Sequence, residues 1–152
     1  MTTINVNSDF QPVNIVTVVG DVRHPTEHEA IVRFLEALRA FADKRQVYAN
    51  IVDLTQCGIL LPVERQFIGD SFNEHRELYR QYLAGVAVIL RSPVVRGALT
   101  AIGWIHPYPS PIEFVADFPQ AEIKASKLLA KRGVTWSGFG DRLPFAKSVG
   151  RR

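Results

Sequence analysis

Cysteine is almost missing from this chain: Cys57 stands alone among 152 residues, beside a single methionine. One thiol closes no internal disulfide and supplies no sulfur cage for zinc, so a disulfide scaffold and a cysteine metal site are excluded. A reducing compartment, the cytoplasm, is the expected setting. Long apolar runs are missing as well. No window approaches the roughly 18 uninterrupted apolar residues of a membrane span, and the opening Met1-Thr2-Thr3-Ile4-Asn5 lacks the basic-then-apolar layout of a signal peptide. Neither a membrane span nor secretion is expected. A Gly-rich phosphate loop is not found between a strand and a helix, because Gly138-Phe139-Gly140 falls after the last helical pattern. A Gly-x-Ser-x-Gly elbow is absent, and the four histidines form no evident triad. No catalytic residue, metal or cofactor is therefore expected, and the chain reads as a non-enzyme.

Charge is nearly balanced. The formal excess of +3 lies in the last twelve residues, where Arg142, Lys147, Arg151 and Arg152 face only Asp141. A short basic end beyond Gly138 and Gly140 reads as a solvated terminus rather than a nucleic-acid arm, so no nucleic acid is expected as partner. What the chain does have is apolar content, 47% of residues, enough to build one core without staples.

That content is patterned. Val13 to Val19 is β-branched and leads into Gly20-Asp21, which predicts a strand stopped by a turn, with Ile4 and Val6 as a short antiparallel partner. Thr26 and Glu29 form a capping box ahead of Ile31, Phe34, Leu35, Leu38 and Phe41 at helical spacing. Val47 to Val52, ending at Asp53, reads as a strand buried on both faces. A loop through Gln56-Cys57-Gly58 leads to Pro62 and a second helix with Ile68, Phe72, His75, Tyr79 and Tyr82 on one stripe. Gly85 breaks that pattern before the strand Val86 to Leu90. Ser92-Pro93 caps a third helix carrying Val95, Leu99 and Ile102. Ile112 to Val115 forms the last strand, and Ala121, Ala125, Leu128 and Leu129 mark a last helix stopped by Gly133. Strands that alternate with helices predict an α/β fold with a mainly parallel sheet of four to five strands, an N-terminal antiparallel hairpin and about four covering helices. The folded domain is expected over 1–134, followed by an aromatic and basic tail, 135–152. Trp136, Phe139 and Phe145 in that tail are expected to fold back on the body or to meet a second subunit.

This order resembles the STAS domain, in particular the SpoIIAA-like group of anti-sigma-factor antagonists. The residues that carry the resemblance are the Val-rich strand ending in Gly20-Asp21, the strand end Asn50-Ile51-Val52-Asp53-Leu54-Thr55, the strand Val86-Ala87-Val88-Ile89-Leu90, and Phe114 to Leu129 as closing strand and helix. The resemblance implies a regulatory domain that binds rather than reacts. It also implies a serine at the next helix start, following the Asp-Leu-Ser/Thr element, that takes up phosphate from a partner kinase. Here Asp53-Leu54-Thr55 runs into Gln56-Cys57-Gly58-Ile59-Leu60-Leu61-Pro62, with no serine or threonine between Thr55 and the helix. The phosphoswitch is expected to be lost, while a protein partner, or a second copy of the chain, could still dock through Thr55, Cys57, Gly58, Arg65 and Phe72.

Two further groups of residues weigh on function. Trp104, His106 and Tyr108 beside a proline-rich loop, with Arg96 upstream on the same helix, could bind a small apolar or acidic ligand such as a fatty acid. Core packing for Trp104 and a surface ion pair for Arg96 are the plainer expectations. Asp21 and Asp53 should lie on neighbouring strands, where carboxylates can hold magnesium, but turn and capping roles are expected instead. His24 and His28 read as a solvated helix start, His75 as a hydrogen-bonded, partly buried ring, and Cys57 as a small buried hydrophobe rather than a reactive thiol.

Overall fold

The computed structural model describes residues 2–22, 28–60 and 62–141. Its elements in chain order are β1 (Thr3–Phe10), β2 (Val13–Val22), α1 (His28–Asp43), β3 (Tyr48–Leu60), α2 (Pro62–Glu74), α3 (Arg76–Tyr82), β4 (Leu83–Ile89), α4 (Pro93–Ile105), β5 (Ile112–Val115) and α5 (Phe118–Ala130). Among the described residues the five strands form one sheet in the order β1-β2-β3-β4-β5. β1 pairs antiparallel with β2, and every later pairing is parallel.

The monotonic order decides where the helices go. Each crossover from β2 to β5 moves one strand further in the same direction, and right-handed crossovers then place every connecting helix on the same face. α1 through α4 cover that face over a core that includes Val16, Val52, Val88, Leu35, Ile68 and Ile102. The other face carries Val13, Ile15, Ile51, Ala87 and Ile89 and is covered by α5 and the segment that follows it.

Local chemistry explains most helix ends. The Ser92 hydroxyl accepts from Val95 N at 3.3 Å, with Pro93 at the first helical position of α4. Asp117 does the same for Gln120 N at 2.9 Å at the start of α5. Gly133, at φ 75°, turns the chain after α5 so that Val134 N reaches the Leu129 carbonyl at 3.0 Å. Thr26, the expected cap of α1, and His24 lie outside the described residues, as do Phe145 and the basic end.

Four boundaries differ from the sequence expectation. β2 does not stop at Gly20-Asp21, nor β3 at Asp53: the strands run on together to Val22 and Leu60, with Val19 opposite Gln56 and Gly20 opposite Cys57. Each turn-prone pair supplies backbone partners for the other, and irregularities in the ladder take up the mismatch. The expected second helix is two helices. The chain breaks at His75, whose Nδ1 lies 3.1 Å from the Ser71 carbonyl, and this gives five helices among the described residues in place of about four. Gly85 does not break the chain but lies inside β4, because a side chain there would meet Leu128 of α5 at 2.7 Å and the Pro111 carbonyl at 3.0 Å.

After α5 the chain returns to the sheet. Phe139, 2% exposed, meets Phe10, Trp136 and Phe118 at ring-centroid distances of 5.0, 5.3 and 6.1 Å, in edge-on geometry. Its backbone N donates to Glu122 at 2.6 Å. Phe139→Ala is expected to cost about 3 kcal/mol, read as a lower urea midpoint at unchanged slope. Gly85→Ala is expected to cost about 1–3 kcal/mol by overpacking. The same change in a Leu128→Ala background should cost markedly less, which a double-mutant cycle of unfolding free energies measures.

Candidate functional site

The α1–α4 face begins from two asparagines in apolar strands. Asn14 on β2 and Asn50 on β3 are register partners, both fully buried. A buried amide must find partners, and these find the backbone of α1. Asn14 Nδ2 donates to the Ala37 carbonyl at 2.9 Å, and its Oδ1 accepts from the Ser8 hydroxyl at 3.1 Å. Asn50 Nδ2 donates to the Leu38 carbonyl at 3.0 Å, and the Tyr48 hydroxyl donates to that same oxygen at 2.5 Å. The helix is thereby tied to the sheet at two successive carbonyls.

Asn50 Oδ1 has no protein partner. Two other buried side-chain atoms among the described residues share that condition, the Tyr79 hydroxyl and Glu64 Oε2. An unsatisfied buried polar group typically costs ~1–3 kcal/mol, so each calls for an explanation. Asn50 and Tyr79 line one cavity of about 100 Å³ between the sheet and the helices, with Ile31 of α1, Val52 of β3, Val88 of β4 and Val95 of α4 among its walls. The cavity runs from Ile4 on β1 to Phe114 on β5 and is almost wholly apolar. Burial pushes the hydroxyls of Tyr48, Tyr79 and Tyr108 far above the usual tyrosine range, which keeps all three protonated.

The residues singled out in the sequence divide over this geometry. Tyr108 lines the cavity, and its hydroxyl donates to the Leu99 carbonyl. Arg96 is exposed on α4 and stacks over the Phe114 ring, 5.0 Å from its centroid, and among the described residues it forms no ion pair with a carboxylate. His106 Nε2 lies 3.0 Å from Asp70 of α2 and ties the end of α4 to that helix. Trp104 is 81% exposed, so the expected core packing does not occur: its position on α4 turns outward while Ile102 takes the buried one. The four are therefore not one cluster.

Of the docking residues, Cys57 and Phe72 line the cavity from β3 and α2, and Phe72 stacks edge-on against Tyr79 and Tyr108 at 5.9 and 5.7 Å. Thr55 lies within β3, and its hydroxyl and N–H both donate to Asp53 Oδ1, at 2.8 and 3.0 Å. Gly58 faces Asp21: a Cβ there would fall 1.4 Å from Asp21 Oδ1. Arg65 lines a shallow groove between α2 and α4 with Pro62, Gln66 and His106. His28 is exposed and packs its ring 4.5 Å from that of Phe67. Among the described residues no group of three or more His, Cys, Asp or Glu side chains is placed to hold a metal ion.

Asn50 and Tyr79 escaped the sequence reading. The signal for Asn50 was present as one amide inside the apolar run Tyr48-Ala49-Asn50-Ile51-Val52. Tyr79 carried none, since a tyrosine on an apolar helical stripe reads as core.

The fold has relatives among solved structures. The chain superposes on an anti-sigma factor antagonist from Mycobacterium paratuberculosis with a TM-score of 0.56 and 20% identity, covering 82% of this chain and 94% of that one. It superposes on an uncharacterised protein with a SpoIIAA-like fold from Shewanella loihica with a TM-score of 0.52 and 17% identity, covering 82% and 93%. No family model matches the chain, and no curated protein matches it. The chain has a SpoIIAA-like fold, with the N-terminal hairpin, the parallel sheet and the covering helices described above. Among the described residues no helix is long and apolar enough to cross a membrane.

Burial, and secondarily the Asp21 carboxylate, push the Cys57 thiol up to about 11 from an ordinary value near 9. The folded state thus favours the neutral thiol, a preference fully present below the ordinary value and lost as pH rises through 11. Iodoacetamide labelling of the native protein should accelerate with a midpoint near pH 11. In urea the midpoint should fall back towards the ordinary thiol value, and mass spectrometry of Cys57 alkylation checks both.

Proposed function

We propose that the chain is a non-catalytic regulatory domain that works in the cytoplasm by docking a protein partner, without a serine phosphoswitch. The docking face is the segment from Thr55 to Phe72. The observation that carries this reading is the outer surface of α2, where Val63 is 76% exposed two residues from the half-buried Arg65, an apolar anchor beside a cation. Cys57 and Phe72 set the position of that surface from beneath, and Gly58 lets β3 pass against Asp21. The fold supports the assignment, since one structure sharing it is an anti-sigma factor antagonist, a protein whose name states an action on another protein.

The loss of the phosphoswitch has a physical basis at Thr55. A phosphoserine switch uses the exposed N–H groups and dipole of a helix start. Thr55 lies instead in mid-strand, seven residues before Pro62, with its hydroxyl bound to the Asp53 carboxylate. Phosphate there would meet a like charge and displace an existing hydrogen bond.

A Val63→Asp/Arg65→Glu double variant is expected to bind a partner captured by the native chain at least about ten-fold more weakly, as loss of an anchor and reversal of a charge imply. Ile123→Asp, on the exposed part of α5, should leave binding unchanged. Surface plasmon resonance on folded variants reads both, and the reverse pattern would move the docking face to α5.

A further inference from the structure

The cavity beneath α1 to α4 holds a chemical mismatch. Its walls are apolar at nearly every point, yet Asn50 Oδ1 and the Tyr79 hydroxyl line it without a protein partner, in side chains 0% and 1% exposed. Which atom of the amide is left over is fixed by its surroundings. The atom 3.0 Å from the Leu38 carbonyl faces an acceptor, which would repel Oδ1 and attracts Nδ2, so the atom left over is the acceptor Oδ1. An acceptor needs a donor in turn. The Tyr79 hydroxyl, held protonated by burial, can both give and receive. The other hydroxyls in the lining are engaged: Thr2 donates to the Asp21 carbonyl and Ser110 to the Tyr79 carbonyl.

Charge narrows the occupant further. None of the lining residues is Lys, Arg, His, Asp or Glu. A carboxylate would enter without a cation and would present Asn50 Oδ1 with another acceptor, so an acidic ligand does not fit this site. A hydroxyl does, because it has one hydrogen for Asn50 Oδ1 and lone pairs for the Tyr79 O–H. The volume of about 100 Å³ is below the roughly 150 Å³ at which a dry apolar cavity in another protein takes up benzene. The apolar part of the occupant is therefore about four carbons or fewer.

We infer that this cavity is a binding site for a small uncharged molecule, a ring or short chain bearing one hydroxyl, which Asn50 Oδ1 and the Tyr79 hydroxyl hold. The inference does not rest on the docking face and stands or falls apart from it.

The test is an NMR titration of the full chain with 1-butanol, with its ether isomer 1-methoxypropane, which lacks a donor, and with butanoate. The alcohol should bind saturably, shift the Asn50 side-chain amide, and bind about ten-fold more tightly than either comparator. Tyr79→Phe removes only the unpartnered hydroxyl. It should leave the melting temperature no lower, weaken 1-butanol about five-fold, and leave the ether unchanged. Equal affinity for alcohol and ether would overturn the inference, as would absence of saturation. So would a Tyr79→Phe variant that melts earlier with alcohol affinity intact, a result that assigns both atoms to an internal water.

Discussion

The helical layer depends on how α1 is tied to the sheet. Ala37 and Leu38 sit in the middle of the helix, where their carbonyls already serve the helical ladder, yet they also receive the amides of Asn14 and Asn50 and the Tyr48 hydroxyl. Hydrophobic packing alone is indifferent to small rotations of a helix over a sheet. Directional bonds to two successive carbonyls are not, and they fix both the height and the rotation of α1. Those bonds come from strands β2 and β3 at one register level, and Asn50 and Leu38, which make one of them, also stand in the wall of the cavity.

Much of the fold was legible because its punctuation is local. Ser92-Pro93 and Gly133 act through their own backbone geometry, and the structure uses them where the residue types imply. Gly20-Asp21 and Gly58 look like the same kind of signal but respond to partners far away in sequence. Gly20 pairs opposite Cys57, and Gly58 passes close against Asp21 where the ladder shifts. Gly85 is the same lesson in packing, a glycine required by Leu128 of α5 rather than by a turn. Helical periodicity placed the stripe from Ile68 to Tyr82 on one surface but did not reveal the break at His75, because a short irregularity at a helix joint barely disturbs the pattern.

The site was less legible, for a reason that lies in the kind of residue involved. Trp104 and Arg96 attract notice by size and charge, and both sit outside the cavity. Tyr108 was found through its proline-rich loop. Asn50 and Tyr79 matter through what their atoms lack, and a missing hydrogen-bond partner is a property of three-dimensional surroundings. An amide amid β-branched neighbours announces that it needs bonds without announcing whether it finds them all.

β1 lies at the rim of the sheet, with one side of its backbone unpaired. Such rims invite a further strand from another molecule. Here the ladder slips between Asn7 and Phe10, and the Asp9 N–H is already taken by the Asn7 side chain at 2.9 Å. Asn5, Asn7, Ser8 and Asp9 keep the strand polar, and an incoming strand would find neither a regular row of donors nor a dry surface to lie on. Growth of the sheet from molecule to molecule is thereby discouraged at this rim.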